Sequence, residues 1–280
     1  MKKITSGKIT DVVKNLFLKA NFELPPDVLS ALRSSLKKET NRRAKSIISQ
    51  IIENQKIARE EKIPICQDTG TAVVFLKIGQ DVSITGGGLA EAVNEGVRQA
   101  YAEGYLRKSI VSDPLGRKNT GDNTPAVIHT EIVSGSGLKI SVLAKGGGAE
   151  NVSSIKNFPP SAGISEIKKY VLDAVKNAGA NACPPLVIGV GIGGTLDTVG
   201  VLAKKSLFRK LNSHNKNRRY AALEKELLGG VNRTGIGPMA LGGKTTALAV
   251  LIEYAPTHIT SLPVAVNLQC HAVRRGEAVL

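Results

Sequence analysis

Leu186-Val187-Ile188-Gly189-Val190-Gly191-Ile192-Gly193-Gly194-Thr195 decides the fold class. Its apolar first half, Leu186 to Val190, reads as a strand, and the glycines after it predict a sharp turn into a helix over Thr198–Leu211. Upstream, apolar positions recur at helical spacing over Ser165–Ala178. Downstream, a helical pattern covers Ala221–Leu228, followed by strand-like runs at Thr245–Glu253 and Pro263–Leu268. Helices and strands mixed in this way predict an α/β fold.

Nearer the N-terminus, Pro25-Pro26 can open a helix with Val28, Leu29, Leu32 and Leu36 on one face. Ala44, Ile47, Ile48, Ile51 and Ile52 repeat that spacing. From Ile63 the texture changes to short β-rich runs, Thr71–Ile78, Ala126–Ile132 and Lys139–Leu143, with a helix over Leu89–Tyr105. The expectation is a single domain spanning 1–280, mainly helical over 1–60 and mixed α and β over 61–280, the latter as two lobes around a site. Glycines cluster at Gly86–Gly88, Gly146–Gly148, Gly191–Gly194 and Gly242–Gly243, where backbone must turn sharply or approach a ligand closely.

At 280 residues and 42% hydrophobic, the chain can bury a substantial core. No apolar stretch approaches the roughly 18 to 20 residues of a membrane span, and Lys8, Asp11, Lys14 and Lys19 interrupt any signal-like segment, so no membrane role and a cytoplasmic location are expected. The net charge of +15 admits nucleic acid, anionic surfaces and acidic small molecules as partners. Aromatics are 4% with no Trp, and neither a zinc finger nor an RNP-like strand is evident, which weighs against nucleic acid.

Two glycine motifs are decoys. Gly189, Gly191 and Gly194 spell G-x-G-x-x-G, but the acidic ribose ligand that should follow about 20 residues later is replaced by Arg209, Lys210, Asn212, His214 and Lys216. Gly242-Gly243-Lys244-Thr245 resembles a phosphate loop whose first glycine position is held by Pro238.

The three cysteines, Cys66, Cys183 and Cys270, are too few and too scattered for a disulfide framework. Each sits at an element end beside turn formers, and Cys183-Pro184 is a familiar setting for an iron–sulfur ligand. Metal ligation and buried thiols both remain open on these grounds.

Cys66-Gln67-Asp68-Thr69-Gly70, Ala144-Lys145-Gly146-Gly147-Gly148, Ala182-Cys183-Pro184-Pro185, Ile192-Gly193-Gly194-Thr195 and Gly242-Gly243-Lys244 occur in the order seen in class I fumarases. The chain resembles their α subunit, and L(+)-tartrate dehydratase α subunits share these motifs. The resemblance implies a hydro-lyase, a carbon–oxygen lyase that interconverts fumarate and (S)-malate in the tricarboxylic acid cycle, with tartrate dehydration as the alternative. It implies a [4Fe-4S] cluster on Cys66, Cys183 and Cys270, with one iron not ligated by cysteine. It places Gln67, Asp68, Arg107, His258 and the Gly146, Gly147 and Gly148 backbone on the substrate, with Asp68 and His258 catalytic. The proton-abstracting base is expected on a separate β subunit, in an α2β2 assembly.

Without that resemblance, Arg107 reads as a surface arginine at a helix end, Asp68 as a turn cap and His258 as a loop histidine. The rival from another class is a basic nucleic-acid-binding protein, which predicts steeply salt-dependent binding and no iron. No role is assigned from sequence to Thr120–Pro125 or to the basic stretch His214–Tyr220.

Overall fold

A computed structural model describes residues 2–280. In chain order the elements are β1 (Lys2–Thr5), α1 (Ser6–Phe22), α2 (Pro26–Lys38), α3 (Arg42–Glu61), β2 (Thr71–Gly79), β3 (Val82–Thr85), α4 (Leu89–Glu103), β4 (Val127–Val133) and β5 (Leu138–Lys145). Then follow α5 (Gly147–Asn151), β6 (Ser154–Phe158), α6 (Ile164–Ala178), β7 (Leu186–Gly194), α7 (Leu196–Ser206), α8 (Arg218–Arg233), β8 (Ala247–Thr257), β9 (Leu262–Gln269) and β10 (Arg275–Val279). The architecture is mixed α/β with a helical N-terminal region, as the sequence predicts. The described residues divide into two compact units, 2–25 with 54–147 and 274–280, and 26–53 with 148–273.

In the first unit a four-stranded sheet runs β10-β5-β2-β4, and β1 pairs in parallel with β3. β2 is antiparallel to β5 and parallel to β4. Its core joins Ala72, Val74 and Leu76 of β2 and Ile140 and Val142 of β5 to Ile9, Val13 and Phe17 of α1 and Val93, Val97 and Tyr101 of α4. Fully burying one large apolar side chain of this kind contributes about 1.5–3 kcal/mol.

In the second unit the order is β6-β9-β7-β8, with β7 parallel to β8 and antiparallel to β9. One face packs on α6 and α8 through Ile188, Val190, Val250 and Val266 against Val171, Val175, Leu227 and Val231. The other face carries α7, whose Val199 and Ala203 meet Ala265.

That second contact explains the 186–195 stretch and corrects its reading. β7 continues to Gly194, so Gly189 and Gly191 lie inside the strand and only Gly193 and Gly194, with φ of 85° and 73°, make the turn. A Cβ on Gly189 would lie 2.2 Å from the Ala203 carbonyl oxygen, and one on Gly191 2.3 Å from that of Val199. The glycines let a helix backbone lie directly on the strand; they do not cradle a dinucleotide.

Helix α7 is also shorter than the pattern predicts. It ends at Ser206, and the N–H groups of Leu207, Phe208 and Arg209 tighten onto the carbonyls three residues back. The strands absent from the sequence reading, β1, β3, β6 and β10, are four or five residues long, too short for a period-2 pattern to emerge.

Candidate active site

In the first unit, Cys66–Gly70 forms the loop between α3 and β2. Its entry is tied down where Ile65 donates its N–H to the Asn21 carbonyl at 2.9 Å and accepts from Asn54 Nδ2 at 2.9 Å. Asp68 then accepts through both carboxylate oxygens, Oδ1 from the Gly70 N–H at 3.0 Å and Oδ2 from the Gly147 N–H at 2.7 Å. Gly70, at φ 80°, lets the loop lie against the Ala144–Lys145 backbone, 2.8 Å from where its Cβ would sit.

Beneath the loop the structure places side chains that sequence reasoning missed. Arg274, 1% exposed, donates through Nη1 to the Asp68 carbonyl and to Asn21 Oδ1, and its Nη2 lies 3.2 Å from a Cβ placed on Gly146. The Tyr101 hydroxyl lies 2.8 Å from the carbonyl oxygens of both Thr69 and Gly70, and burial pushes its pKa well up. Asn123 donates to the Gly70 carbonyl at 3.3 Å and accepts from the Ser109 N–H at 2.8 Å. That gives the Thr120–Pro125 segment its task, with Asp122 paired to Arg98 at 3.1 Å.

Around this loop the structure gathers several of the predicted residues. Cys66 Sγ lies 3.3 Å from Gln67 Oε1, and Gln67 is exposed. Thr69 Oγ1 donates to the Arg107 carbonyl at 2.8 Å, anchoring the backbone from which the exposed Arg107 side chain projects. Gly146 and Gly147 border Asp68. The arrangement is a pinned carboxylate in a loop with a thiol and an amide, and an exposed arginine is tied to that loop through its backbone carbonyl, a set whose hydrogen-bonding groups suit an acidic small molecule.

The second unit brings Cys183 and Cys270 together. Cys183 sits at φ 51° after a single 3-10 turn, and its carbonyl oxygen lies 3.4 Å from the His271 N–H and 3.1 Å from His271 Nδ1. Cys270 closes β9 with Gln269 Nε2 3.4 Å from its Sγ. Gly148 belongs to this region, the Asn181 carbonyl lying 2.9 Å from where its Cβ would be. His271 carried no sequence signal beyond its place beside Cys270.

His258 is not brought to that pair within one chain. Gln269, just before Cys270, is level with Val187 at the start of β7, whereas Thr257, just before His258, is level with Gly194 at its end. Seven strand steps separate these ends, about 23 Å. His258 Nδ1 accepts from the Thr260 N–H at 3.2 Å in an exposed turn.

Two further motifs find structural roles. The Gly242–Lys244 turn is fastened by Glu39, whose carboxylate accepts from the Lys244 N–H at 2.7 Å and the Thr40 and Asn41 N–H groups at 2.8 and 3.0 Å. Burial pushes the Glu39 pKa up, but those bonds and the Lys244 charge outweigh it and hold the carboxyl below its usual range. In the basic stretch, Asn217 caps α8 and Asn215 donates to the Ile252 carbonyl at 2.8 Å.

The sequence profile of the family described as Fumarate hydratase (Fumerase) matches residues 10–279. The chain belongs to that family. It is 46% identical over 276 residues to a provisionally named L(+)-tartrate dehydratase subunit alpha of Methanocaldococcus jannaschii, covering 96% of each chain. It is 33% identical over 273 residues to the L(+)-tartrate dehydratase subunit alpha of Escherichia coli strain K12, covering 96% of this chain and 90% of that one. The chain is therefore a hydro-lyase of the fumarate hydratase and tartrate dehydratase alpha family. Among the described residues no helix is long and apolar enough to cross a membrane.

Proposed function

We propose that this chain is the iron–sulfur α subunit of a fumarate hydratase, adding water to fumarate to give (S)-malate. The observation that carries the reading is the Asp68 carboxylate, fixed by two backbone N–H groups, in a loop shared with Cys66 and Gln67 and anchored to Arg107.

The donor chemistry of the chain fits an iron–sulfur cluster, because free cysteine thiols are the ligands such clusters take. Cys66, Cys183 and Cys270 would hold it. When bound, a [4Fe-4S] cluster with one iron not ligated by cysteine supplies Lewis acidity toward the substrate hydroxyl.

The chain's own side chains then bind and orient. Arg107 offers a planar fork that pairs bidentately with a substrate carboxylate. The exposed Gln67 amide and the Gly146 to Gly148 backbone, apart from the Gly147 N–H that Asp68 accepts, are assigned the neutral hydrogen bonds to the substrate. Asp68 cannot bind a substrate carboxylate, which repels it; a carboxylate can accept about four hydrogen bonds, so Asp68 can also take one from the hydroxyl or water being added or lost. The base that removes the carbon-bound proton is assigned to a partner β subunit, a reading supported by the relatives' names as alpha subunits. Because His258 stands about 23 Å along β7 from the Cys183 and Cys270 end, its substrate contact is assigned to the site of a second chain.

Tartrate dehydration is the second reading, favoured by the names of both relatives. The deciding experiment measures iron and acid-labile sulfide per chain after anaerobic purification, in the native protein and in Cys66→Ser, Cys183→Ser and Cys270→Ser variants. It then assays the αβ enzyme for malate formed from fumarate and oxaloacetate formed from L(+)-tartrate. Comparable iron and sulfide lost in all three variants, with fumarate turned over faster, is the expected result. No iron after reconstitution would overturn the cluster, and faster tartrate turnover would move the substrate to the second reading.

A further inference from the structure

β9 ends at Gln269, immediately before Cys270, and its alternation sorts the strand's side chains onto two faces. Val264, Val266 and Leu268 join the core built with α6 and α8, while Ala265 meets α7. Asn267 and Gln269 are in phase with Ala265, which puts two amides on that second face, 6% and 0% exposed. Asn267 has a structural partner there, donating through Nδ2 to Glu150 Oε2 at 3.1 Å. Gln269 instead reaches past the end of its own strand. Its Nε2 donates to the Ala272 carbonyl at 3.1 Å and lies 3.4 Å from Cys270 Sγ.

A side-chain amide nitrogen carries two hydrogens, so each of these acceptors can take one. The Ala272 bond also fixes which way the amide points, since turning it over would set Oε1 against a carbonyl oxygen. In this orientation Oε1 is buried with no hydrogen-bond partner among the described residues. A buried acceptor left bare costs free energy that an apolar side chain of the same shape would not. Gln269 is therefore explained by its two donors and not by its oxygen.

We propose that Gln269 is a positioning residue for the cluster ligand Cys270, holding the Cys270–Ala272 turn and donating a hydrogen bond to Sγ once Cys270 is a thiolate. The inference rests on the cluster reading given above. As a thiol, Cys270 has the Ala272 carbonyl as an acceptor 3.7 Å away. The thiolate is the form that binds metal, so ligation removes that proton. Sγ then only accepts, and the Ala272 carbonyl loses a donor; the two hydrogens of one buried amide serve both. Hydrogen bonds to cysteine sulfur draw electron density from it and are among the determinants of a cluster's reduction potential. Burial strengthens the effect, because no water competes for Nε2. The amide beside Cys66 is not equivalent: Gln67 is exposed and meets Sγ through Oε1, an acceptor, at 3.3 Å.

The test uses the full chain, purified anaerobically and reconstituted with iron and sulfide. Gln269→Met keeps the length of the side chain and loses both donors. Gln269→Glu keeps its shape, replaces the donors by acceptors, and supplies a second reading in the same direction should the first variant fold poorly. Asn267→Leu is the control, removing a buried amide from the same strand face that bonds Glu150 and not sulfur. All three should lower the melting temperature, and a purely structural role for Gln269 would end there. The expected result is a midpoint potential, by anaerobic dye titration, that falls in the loaded Gln269 variants and stays at the wild-type value in Asn267→Leu. A wild-type chain that holds no iron would overturn the cluster reading and this assignment with it. Loaded Gln269 variants at the wild-type potential, or an equal shift in Asn267→Leu, would overturn this assignment alone.

Discussion

Replacing Arg274 by lysine keeps the buried charge and removes the fork, which isolates what the guanidinium does for the Asp68 loop. Arg274 reaches the Asp68 carbonyl and, at 3.4 Å, Asn21 Oδ1, while its Nε is buried without an acceptor among the described residues. A hydrogen bond from a charged donor contributes about 1.5–3 kcal/mol, and a buried acceptor left bare costs about 1–3 kcal/mol. The long Asn21 contact adds little, and lysine can recover part of the first bond, so Arg274→Lys should cost about 2 kcal/mol. That is roughly a 30-fold change in the unfolding equilibrium and about 4–8 °C in melting temperature for a chain of this size. The assay is thermal unfolding of the full chain together with amide hydrogen exchange at Gly70 and Gly147, whose N–H groups bind Asp68. Loss of the Arg274 anchor should speed exchange at both beyond the global change. A variant within 0.5 kcal/mol of wild type with unaltered protection there would show that Arg274 does not hold the loop.

Two other substitutions probe the frame. Glu39→Gln should cost about 1–2 kcal/mol at neutral pH by weakening the clasp on the Gly242–Lys244 turn. Because the folded pKa of Glu39 lies below its ordinary value of 4.5, the wild-type advantage is present above that value and lost as pH falls through the folded pKa. Urea unfolding at pH 7 and at successive steps below 4.5 should show the two proteins converging; a constant gap would contradict the assignment. Gly189→Ala sets a methyl 2.2 Å from the Ala203 carbonyl oxygen and should destabilise by about 1–3 kcal/mol or more. A neutral result in thermal unfolding would mean that α7 does not bear on β7 as described.

The fold was readable where hydrophobic period and length agreed. Leu186–Val190, Ser165–Ala178 and Thr71–Ile78 all lie within observed elements because buried strands and amphipathic helices of that length write their pattern into the chain. Gly189 and Gly191 misled for a physical reason: a glycine needed for close helix–strand packing is indistinguishable in sequence from one needed to approach a phosphate. Distance along the chain hid the rest. Tyr101, Asn123 and Arg274 come from a helix, a loop and the segment before β10, and no spacing rule links them to Asp68.

The same contrast bears on how this site works. The groups legible in sequence, Gln67, Asp68 and Arg107, are partly or largely exposed, whereas the illegible ones, Tyr101, Asn123 and Arg274, are buried and contact the loop's backbone carbonyls. Three buried donors on the carbonyls of Asp68, Thr69 and Gly70 leave that backbone little freedom, so the Asp68 carboxylate can be aimed without a side-chain partner of its own sign-compensating charge. A carboxylate oriented by backbone N–H groups keeps acceptor capacity for a hydroxyl or a water, which a bidentate arginine on its oxygens would have taken up. The guanidinium of Arg274 is accordingly spent on the Asp68 carbonyl, and the proposed pairing with a substrate carboxylate falls to the exposed Arg107.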